Sequence, residues 1–202
     1  MPSTVTDLLD AAGLELAETV RWGSSPRLNQ PGVYIVSLDS EPNGQACSQP
    51  IAPIDPQAVL ALLAARPELR VDGKRPTTDA LTERSASFWL PDETIVYAGL
   101  ASSSVASRVR QYYRTLLGAR SPHAGGWFLK TLSNLNELHV HCAAAVDSND
   151  AESAMLRAFV ENVSDAAKRS VADQERPLPF ANLEWPRGVR KLHGITGARA
   201  PR

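Results

Sequence analysis

The sequence predicts a protein of mixed helix and strand structure, because short β-rich runs alternate with segments of helical periodicity. The β-rich runs lie at residues 32–38, 94–99 and 137–146, and a helical pattern flanks each of them. Of the 202 residues, 43% are hydrophobic and 21% are charged. These values are typical of an ordinary globular domain and exclude disordered and fibrous classes. A chain of this length can fold without disulfides or a structural metal.

The three strands are predicted from β-branched and aromatic residues bounded by turn formers. Residues 32–38 follow a proline and precede a turn-rich stretch, and residues 94–99 end at a glycine. In the third run Leu138, Val140 and Cys142 alternate with polar residues, so they are expected to share one buried face.

The helices are predicted from apolar spacing and from capping residues. A leader helix is expected over residues 4–20, followed by a linker that ends at residue 31. Asp55-Pro56 is typical of a helix start and predicts a helix over residues 55–66, with a weaker helix over 77–84. Ser104 is expected to cap a helix that runs to about Leu117, and Asn149 to open the next one.

The charge is divided unevenly along the chain. Residues 1–100 contain 7 Lys and Arg against 13 Asp and Glu, whereas residues 101–202 contain 14 against 9. Residues 101–131 and 185–202 contain no acidic residue at all. Such stretches favour a surface that binds polyanions, although solvated helix faces and a loose basic tail give the same pattern.

Two groups of residues could carry chemistry by their spacing alone. Glu137, His139 and His141 would share one strand face and could bind zinc, but the solvent side of a half-buried strand is the favoured interpretation. Glu152 shares a helix face with apolar residues, so its carboxylate points toward the core side. A capping box with Asn149 would also explain this glutamate.

The order of several short segments resembles the GIY-YIG nuclease superfamily. The segments are Gly32-Val33-Tyr34, Tyr97-Ala98-Gly99, Arg108 with Tyr112 one turn later, Glu152 in a helix, and Pro179-Phe-Ala-Asn182. The resemblance implies a small three-stranded antiparallel sheet flanked by helices. The 62 residues between Tyr34 and Tyr97 depart from the short connection usual in the family, which implies a helical insertion.

The resemblance also implies how the chain is divided. A catalytic domain over residues 32–185 would carry the insertion at about 39–92. An N-terminal helix and linker would occupy residues 1–31, and a basic tail would occupy 186–202.

The resemblance implies a catalytic site and the role of each residue in it. Arg108 would bind the scissile phosphate, Tyr34 would act as general base or position the water, and Glu152 would hold Mg²⁺ or Mn²⁺. Tyr97 and Tyr112 would hydrogen-bond water or phosphate. Supporting residues would be Gly32, Gly99, His123 and Asn182, and contacts to the nucleic-acid backbone would come from Arg110, Arg114, Arg120 and Lys130.

The sequence therefore predicts a metal-dependent endonuclease that hydrolyses DNA, with RNA not excluded as substrate. Double-strand cleavage would require a homodimer or two sequential events. A catalytically silent nucleic-acid-binding module and a protein-interaction domain that uses the helical insertion are the alternatives. The acidic N-terminus and the two cysteines in unrelated settings predict a cytoplasmic protein with no membrane partner.

Overall fold

A four-stranded antiparallel sheet forms the centre of the molecule. The computed structural model describes residues 2–45, 48–119 and 127–199. The sheet contains β1 (Glu18–Arg21), β2 (Gly32–Ser37), β4 (Ile95–Ala101) and β5 (His139–Ala144), in the order β1-β5-β2-β4. A second, two-stranded sheet pairs β3 (Arg70–Val71) with β6 (Ile195–Thr196).

Six helices of the described residues surround these sheets. They are α1 (Val5–Ala11), α2 (Pro56–Ala65), α3 (Thr78–Ala86), α4 (Val105–Arg114), α5 (Ser148–Asn162) and α6 (Asp165–Ser170). None of the helices in the described ranges is long and apolar enough to cross a bilayer. The prediction of mixed helix and strand structure is confirmed.

The predicted strands are adjacent, but the sheet has a fourth member that the sequence analysis missed. The prediction of a helix over residues 4–20 is wrong beyond residue 11, because Gly13 has a φ of +65° and ends the helical region. Residues 18–21 instead pair with β5, with Thr19 opposite His141. The β-branched pair Thr19-Val20 suits this edge position.

The helix starts follow the capping residues in two of three cases. Asp55 caps α2 with Pro56 in its first turn, and Ser104 accepts a hydrogen bond from the Ser107 N–H at the start of α4. The predicted cap of α5 is wrong. Asp147, not Asn149, caps this helix and accepts hydrogen bonds from the Asn149 and Asp150 N–H groups. Glu152 therefore takes no part in a capping box.

Both faces of the sheet are covered. The face that carries Tyr34 and Val36 packs against α2, α3 and α4, and the face that carries Val33 and Ile35 packs against α1 and α5. The prediction that His141 lies on the solvent side of its strand is therefore wrong. His141 lies opposite Ile35 on the second face and is 1% exposed.

His141 is held from both sides of its ring. Its pKa falls to about 4 because burial disfavours the imidazolium, so the ring is neutral near pH 7. Nε2–H donates to the Asp39 carbonyl at 3.1 Å, and Nδ1 accepts from the Thr19 hydroxyl at 2.9 Å. Both nitrogens are occupied by protein groups. Within the three described ranges no group of three His, Cys, Asp or Glu is placed to hold a metal.

The predicted insertion and the predicted tail both belong to the main fold. Leu62, Leu81 and Phe88 of the insertion share one core cluster with Tyr34, so this segment is not a separate appendage. The prediction of a loose basic tail is wrong for residues 186–199. They pack against the insertion through the β3–β6 pair, because their apolar residues, including Ile195, enter the same cluster.

Candidate active site

Three tyrosines form a continuous row on one face of the sheet. Antiparallel pairing places Tyr34 of β2 opposite Gly99 and Tyr97 of β4 opposite Val36, so the two phenols are diagonal neighbours. Their ring centroids are 5.7 Å apart, and their side chains are hydrogen-bonded to each other. Tyr112 of α4 packs edge-on against Tyr97 at 5.4 Å. The structure thus brings all three predicted tyrosines together.

The two glycines of the sequence motifs make this row possible for steric reasons. A Cβ added at Gly99 would lie 2.7 Å from both Cε1 and the hydroxyl oxygen of Tyr97, so the ring lies directly over this glycine. A Cβ at Gly32 would collide with the backbone carbonyl of Ala143 on the neighbouring strand β5. Gly99 therefore shapes the site, whereas Gly32 permits close strand packing.

Arg108 lies one turn before Tyr112 on α4 and contributes the positive charge of the cluster. Its guanidinium favours the ionised forms of Tyr34, Tyr97 and Tyr112, which places it near all three phenols. Among the described residues it makes no side-chain hydrogen bond and no salt bridge within 4.0 Å. A half-buried guanidinium that has no carboxylate within 4.0 Å among the described residues is suited to an anionic ligand.

A polar hollow of about 320 Å³ opens beside Arg108 at the start of α4. It is lined by the serines of the turn between β4 and α4, together with Ser107 and Gln111. Arg108 therefore faces solvent through this hollow, on one side of the tyrosine row.

Glu152 reaches the cluster from α5, which packs on the opposite face of the sheet. The contact is made at the edge of β4, where its carboxylate lies near the Leu100 N–H and raises the pKa of Tyr97. Burial raises the pKa of Glu152 to about 7, although Arg108 and the Leu100 N–H act in the opposite direction. A divalent cation at this carboxylate would displace the proton that burial favours.

Four backbone groups on the outer edge of β4 have partners: the Val96 carbonyl, the Ala98 N–H and carbonyl, and the Leu100 N–H. The Val96 carbonyl accepts from the Ala181 N–H at 2.8 Å. The Asn182 side chain then accepts from the Ala98 N–H at 2.9 Å and donates to the Ala98 carbonyl at 2.8 Å. The Leu100 N–H faces Glu152. This covering protects the edge and fixes the strand that carries Tyr97.

The phenols are neutral in this environment. Burial raises the pKa of Tyr97 to about 12 and also raises the pKa values of Tyr34 and Tyr112 well above the usual value, with only partial compensation by Arg108. Tyr34 and Tyr112 are 1% and 0% exposed. A neutral phenol can donate one hydrogen bond and accept others, so the row can orient water or phosphate oxygens.

A larger cleft of about 670 Å³ opens beside Tyr97 and Glu152. Tyr97, Glu152 and Asn182 form one wall, and residues of the C-terminal segment, including Arg190 and Arg199, form the opposite wall. The metal-ligand candidate therefore faces a cleft large enough for part of a polymeric substrate.

The other predicted basic residues fall into different settings. Arg110 is half-buried and Arg114 exposed, both on α4. Lys130 is turned inward, where its ammonium donates to the Tyr113 carbonyl at 3.1 Å and to the Thr115 carbonyl. These contacts occupy Lys130 at the C-terminal end of α4. Arg120 and His123 lie outside the described residues.

The sequence analysis did not predict the role of Trp22 or the position of two arginines. Trp22, directly after β1, packs edge-on against Tyr112 at 5.3 Å and backs the tyrosine row. Arg190 and Arg199 lie in the cleft although they were assigned to a tail. The absence of acidic residues after position 184 indicated a basic segment. Its position beside Glu152 depends on long-range contacts such as the β3–β6 pairing, which the sequence does not reveal.

Comparisons with family models, with curated proteins and with solved structures gave no match to this chain.

Proposed function

We propose that the protein is a metal-dependent endonuclease that hydrolyses phosphodiester bonds of DNA. The observation that carries the proposal is the convergence of Tyr34, Tyr97, Tyr112, Arg108 and Glu152 from β2, β4, α4 and α5. These residues span more than half of the sequence. Tyr97 and Glu152 line the large cleft, Arg108 lines the polar hollow, and Arg108 acts electrostatically on Tyr34, Tyr112 and Glu152.

The charged groups are suited to a phosphodiester and a hard cation. Arg108 would hold two oxygens of the scissile phosphate and neutralise the charge that increases in the transition state. Glu152 would be the protein ligand of Mg²⁺ or Mn²⁺, which fits a cation that keeps waters and also accepts substrate oxygens. When bound, the cation would supply charge stabilisation at the leaving oxygen.

The tyrosines would position the water that attacks phosphorus. The water oxygen forms a bond to phosphorus, the bond to the 3′ oxygen breaks, and the products are a 5′-phosphate and a 3′-hydroxyl. One proton of the water passes to solvent, and the leaving oxygen gains one from solvent. The raised pKa of Tyr34 supports a role as hydrogen-bond donor and water-positioning group over that of a general base.

The direct test is cleavage of supercoiled plasmid and branched DNA in Mg²⁺ or Mn²⁺, with product ends analysed. Wild type should leave 5′-phosphate ends, and Glu152→Gln and Arg108→Ala should each slow cleavage by about 100-fold or more. Glu161→Gln is the matched control, because Glu161 is an exposed carboxylate on the same helix. No cleavage by wild type, or undiminished cleavage by both site variants, would overturn the proposal.

A catalytically silent nucleic-acid-binding module is the second candidate, and one observation favours it. Tyr34 and Tyr112 have almost no exposed surface, so a substrate can reach them only through Tyr97 or after a local movement. This alternative predicts salt-sensitive DNA binding by wild type without cleavage in either metal.

A further inference from the structure

The C-terminal strap, defined as residues 183–199, forms the wall of the large cleft that faces Glu152. Lining residues from the strap run from Leu183 to Arg199, and Tyr97, Glu152 and Asn182 lie opposite. The strap therefore supplies most of the residues that line the cleft.

Contacts along its length fix the strap in place. Lys191 is 4% exposed, and its ammonium donates to the carbonyls of Pro179 and Phe180, both at 3.1 Å, and to that of Leu178 at 3.4 Å. Farther on, β6 pairs with β3, and Arg84 donates to the His193 carbonyl at 3.2 Å. A strap held in this way presents its side chains in defined positions.

The charged residues of the strap differ in whether they line the cleft. Arg190 and Arg199 are exposed and line the cleft, whereas Arg187 is exposed and does not. The acidic residue of the strap is Glu184, which also lines the cleft. It lies 3.3 Å from Nε of Arg190 and accepts a hydrogen bond from the Gly188 N–H. A ligand phosphate would compete with Glu184 for Arg190.

We propose that the strap is the phosphate-binding wall of the cleft, with Arg190 and Arg199 contacting phosphates that flank the bond held between Arg108 and Glu152. The inference rests on the proposed function and adds the surface that holds the DNA backbone. The chemistry recognised is the repeating phosphodiester, since guanidinium groups bind phosphate oxygens without reading bases.

The test is fluorescence anisotropy of a labelled DNA duplex without divalent cations, so that binding is measured apart from cleavage. Each lost phosphate contact lowers the slope of log affinity against log salt by about 1. Arg190→Ala with Arg199→Ala should therefore bind more weakly and reduce the slope by about 2. Arg190→Lys with Arg199→Lys should retain most of the slope, because both positive charges are kept.

Two further variants sharpen the measurement. Arg187→Ala is the matched control and should leave the slope unchanged, because this exposed arginine of the strap does not line the cleft. Glu184→Gln should increase affinity, because it removes a carboxylate from the cleft and frees Arg190. Unfolding midpoints measured in parallel establish that the alanine pair is folded.

The results separate this inference from the proposed function. If wild type binds and cleaves DNA but the alanine pair keeps the wild-type slope, the strap inference is wrong and the proposed function stands. An equal loss of slope in Arg187→Ala would also overturn it, because general charge and not the cleft would then be responsible. If the slope falls as expected but wild type never cleaves, the strap binds DNA and the endonuclease assignment fails.

Discussion

At the scale of single residues, the tyrosine row depends on space as much as on chemistry. Tyr97 connects Tyr34 to Tyr112, and its ring occupies the volume that a side chain at position 99 would need. The glycine of this motif is thus required by the aromatic residue two positions before it. The methyl group of an alanine at position 99 is enough to displace the hydroxyl of Tyr97.

Gly99→Ala is expected to reduce nuclease activity by about 10- to 100-fold, because the added Cβ displaces the Tyr97 hydroxyl by a fraction of an ångström or more. Initial cleavage rates measure the effect, and thermal unfolding measures its cost to the fold. In a Tyr97→Phe background the same substitution should have little further effect on rate. Full activity of Gly99→Ala would contradict the assigned position of Tyr97.

A buried glutamate outside the site is expected to make stability depend on pH. Glu93 is 2% exposed, and burial raises its pKa from 4.5 to about 7. Its Oε2 accepts from the Ser3 N–H at 3.3 Å, but Oε1 has no hydrogen-bond partner among the described residues. The folded state binds this proton more tightly than the unfolded state, so the stabilising effect is complete below pH 4.5 and is lost as the pH rises through 7.

Glu93→Gln removes this titration and should raise the free energy of unfolding at pH 8 by roughly 1–3 kcal/mol relative to its effect at pH 4.5. Urea unfolding at the two pH values measures the difference. Glu83→Gln, an exposed change on α3, is the control and should show no such dependence. A pH-independent effect of Glu93→Gln would show that Glu93 does not titrate in this range.

At the scale of elements, the outer edge of β4 connects the C-terminal strap to the candidate site. Lys191 holds the carbonyls of residues 178–180, the next residues place Ala181 and Asn182 on β4, and β4 carries Tyr97. The buried ammonium therefore positions a loop whose displacement would move the strand that carries Tyr97. Burial lowers the pKa of Lys191 to about 7, so the group is near its titration point at neutral pH.

Lys191→Met is expected to lower the free energy of unfolding by roughly 2–4 kcal/mol, because three buried carbonyls lose their donor. Activity should fall as well, since the two hydrogen bonds between the Asn182 side chain and the Ala98 backbone would weaken. Lys74→Met, at an exposed lysine in the turn after β3, serves as control. Unchanged stability of Lys191→Met would mean that relief of a buried charge offsets the lost hydrogen bonds, and unchanged activity would contradict the positioning role.

Local sequence signals predicted the elements wherever the determinant was local. Asp55-Pro56 and Pro67 bound α2, and Ser104 caps α4, so these helices were predicted to within a few residues. The short strand β1 lacks such a signal, because its four residues become a strand only by pairing with β5. The cap of α5 was misplaced because Asp147 and Asn149 are both good caps and the sequence cannot rank them.

At the scale of the whole molecule, the insertion and the strap complete one core instead of extending from it. Leu69 of the insertion and Ile195 of the strap belong to the cluster that contains Tyr34 and Tyr112. The candidate site is therefore supported on one side by segments that a minimal three-stranded domain would lack. Residues far apart in sequence meet here through long-range packing, which periodicity cannot predict.

In the candidate site, too, some features follow from local signals and others from long-range packing. The grouping of the tyrosines, Arg108 and Glu152 was implied by the resemblance in motif order, and only the strands and helices that carry them were predicted from local signals. The inward turn of Lys130 and the cleft positions of Arg190 and Arg199 could not be predicted, because they depend on contacts between distant segments.

The measurement that tests the central claim most directly is a double-mutant cycle on the single-turnover rate of DNA cleavage in Mn²⁺. Arg108→Lys and Glu152→Asp are suitable, because conservative changes leave rates that can be measured. If both residues act on one phosphate, the double variant should be little slower than the slower single variant. Rate losses that multiply, or single variants as fast as wild type, would contradict a shared catalytic site.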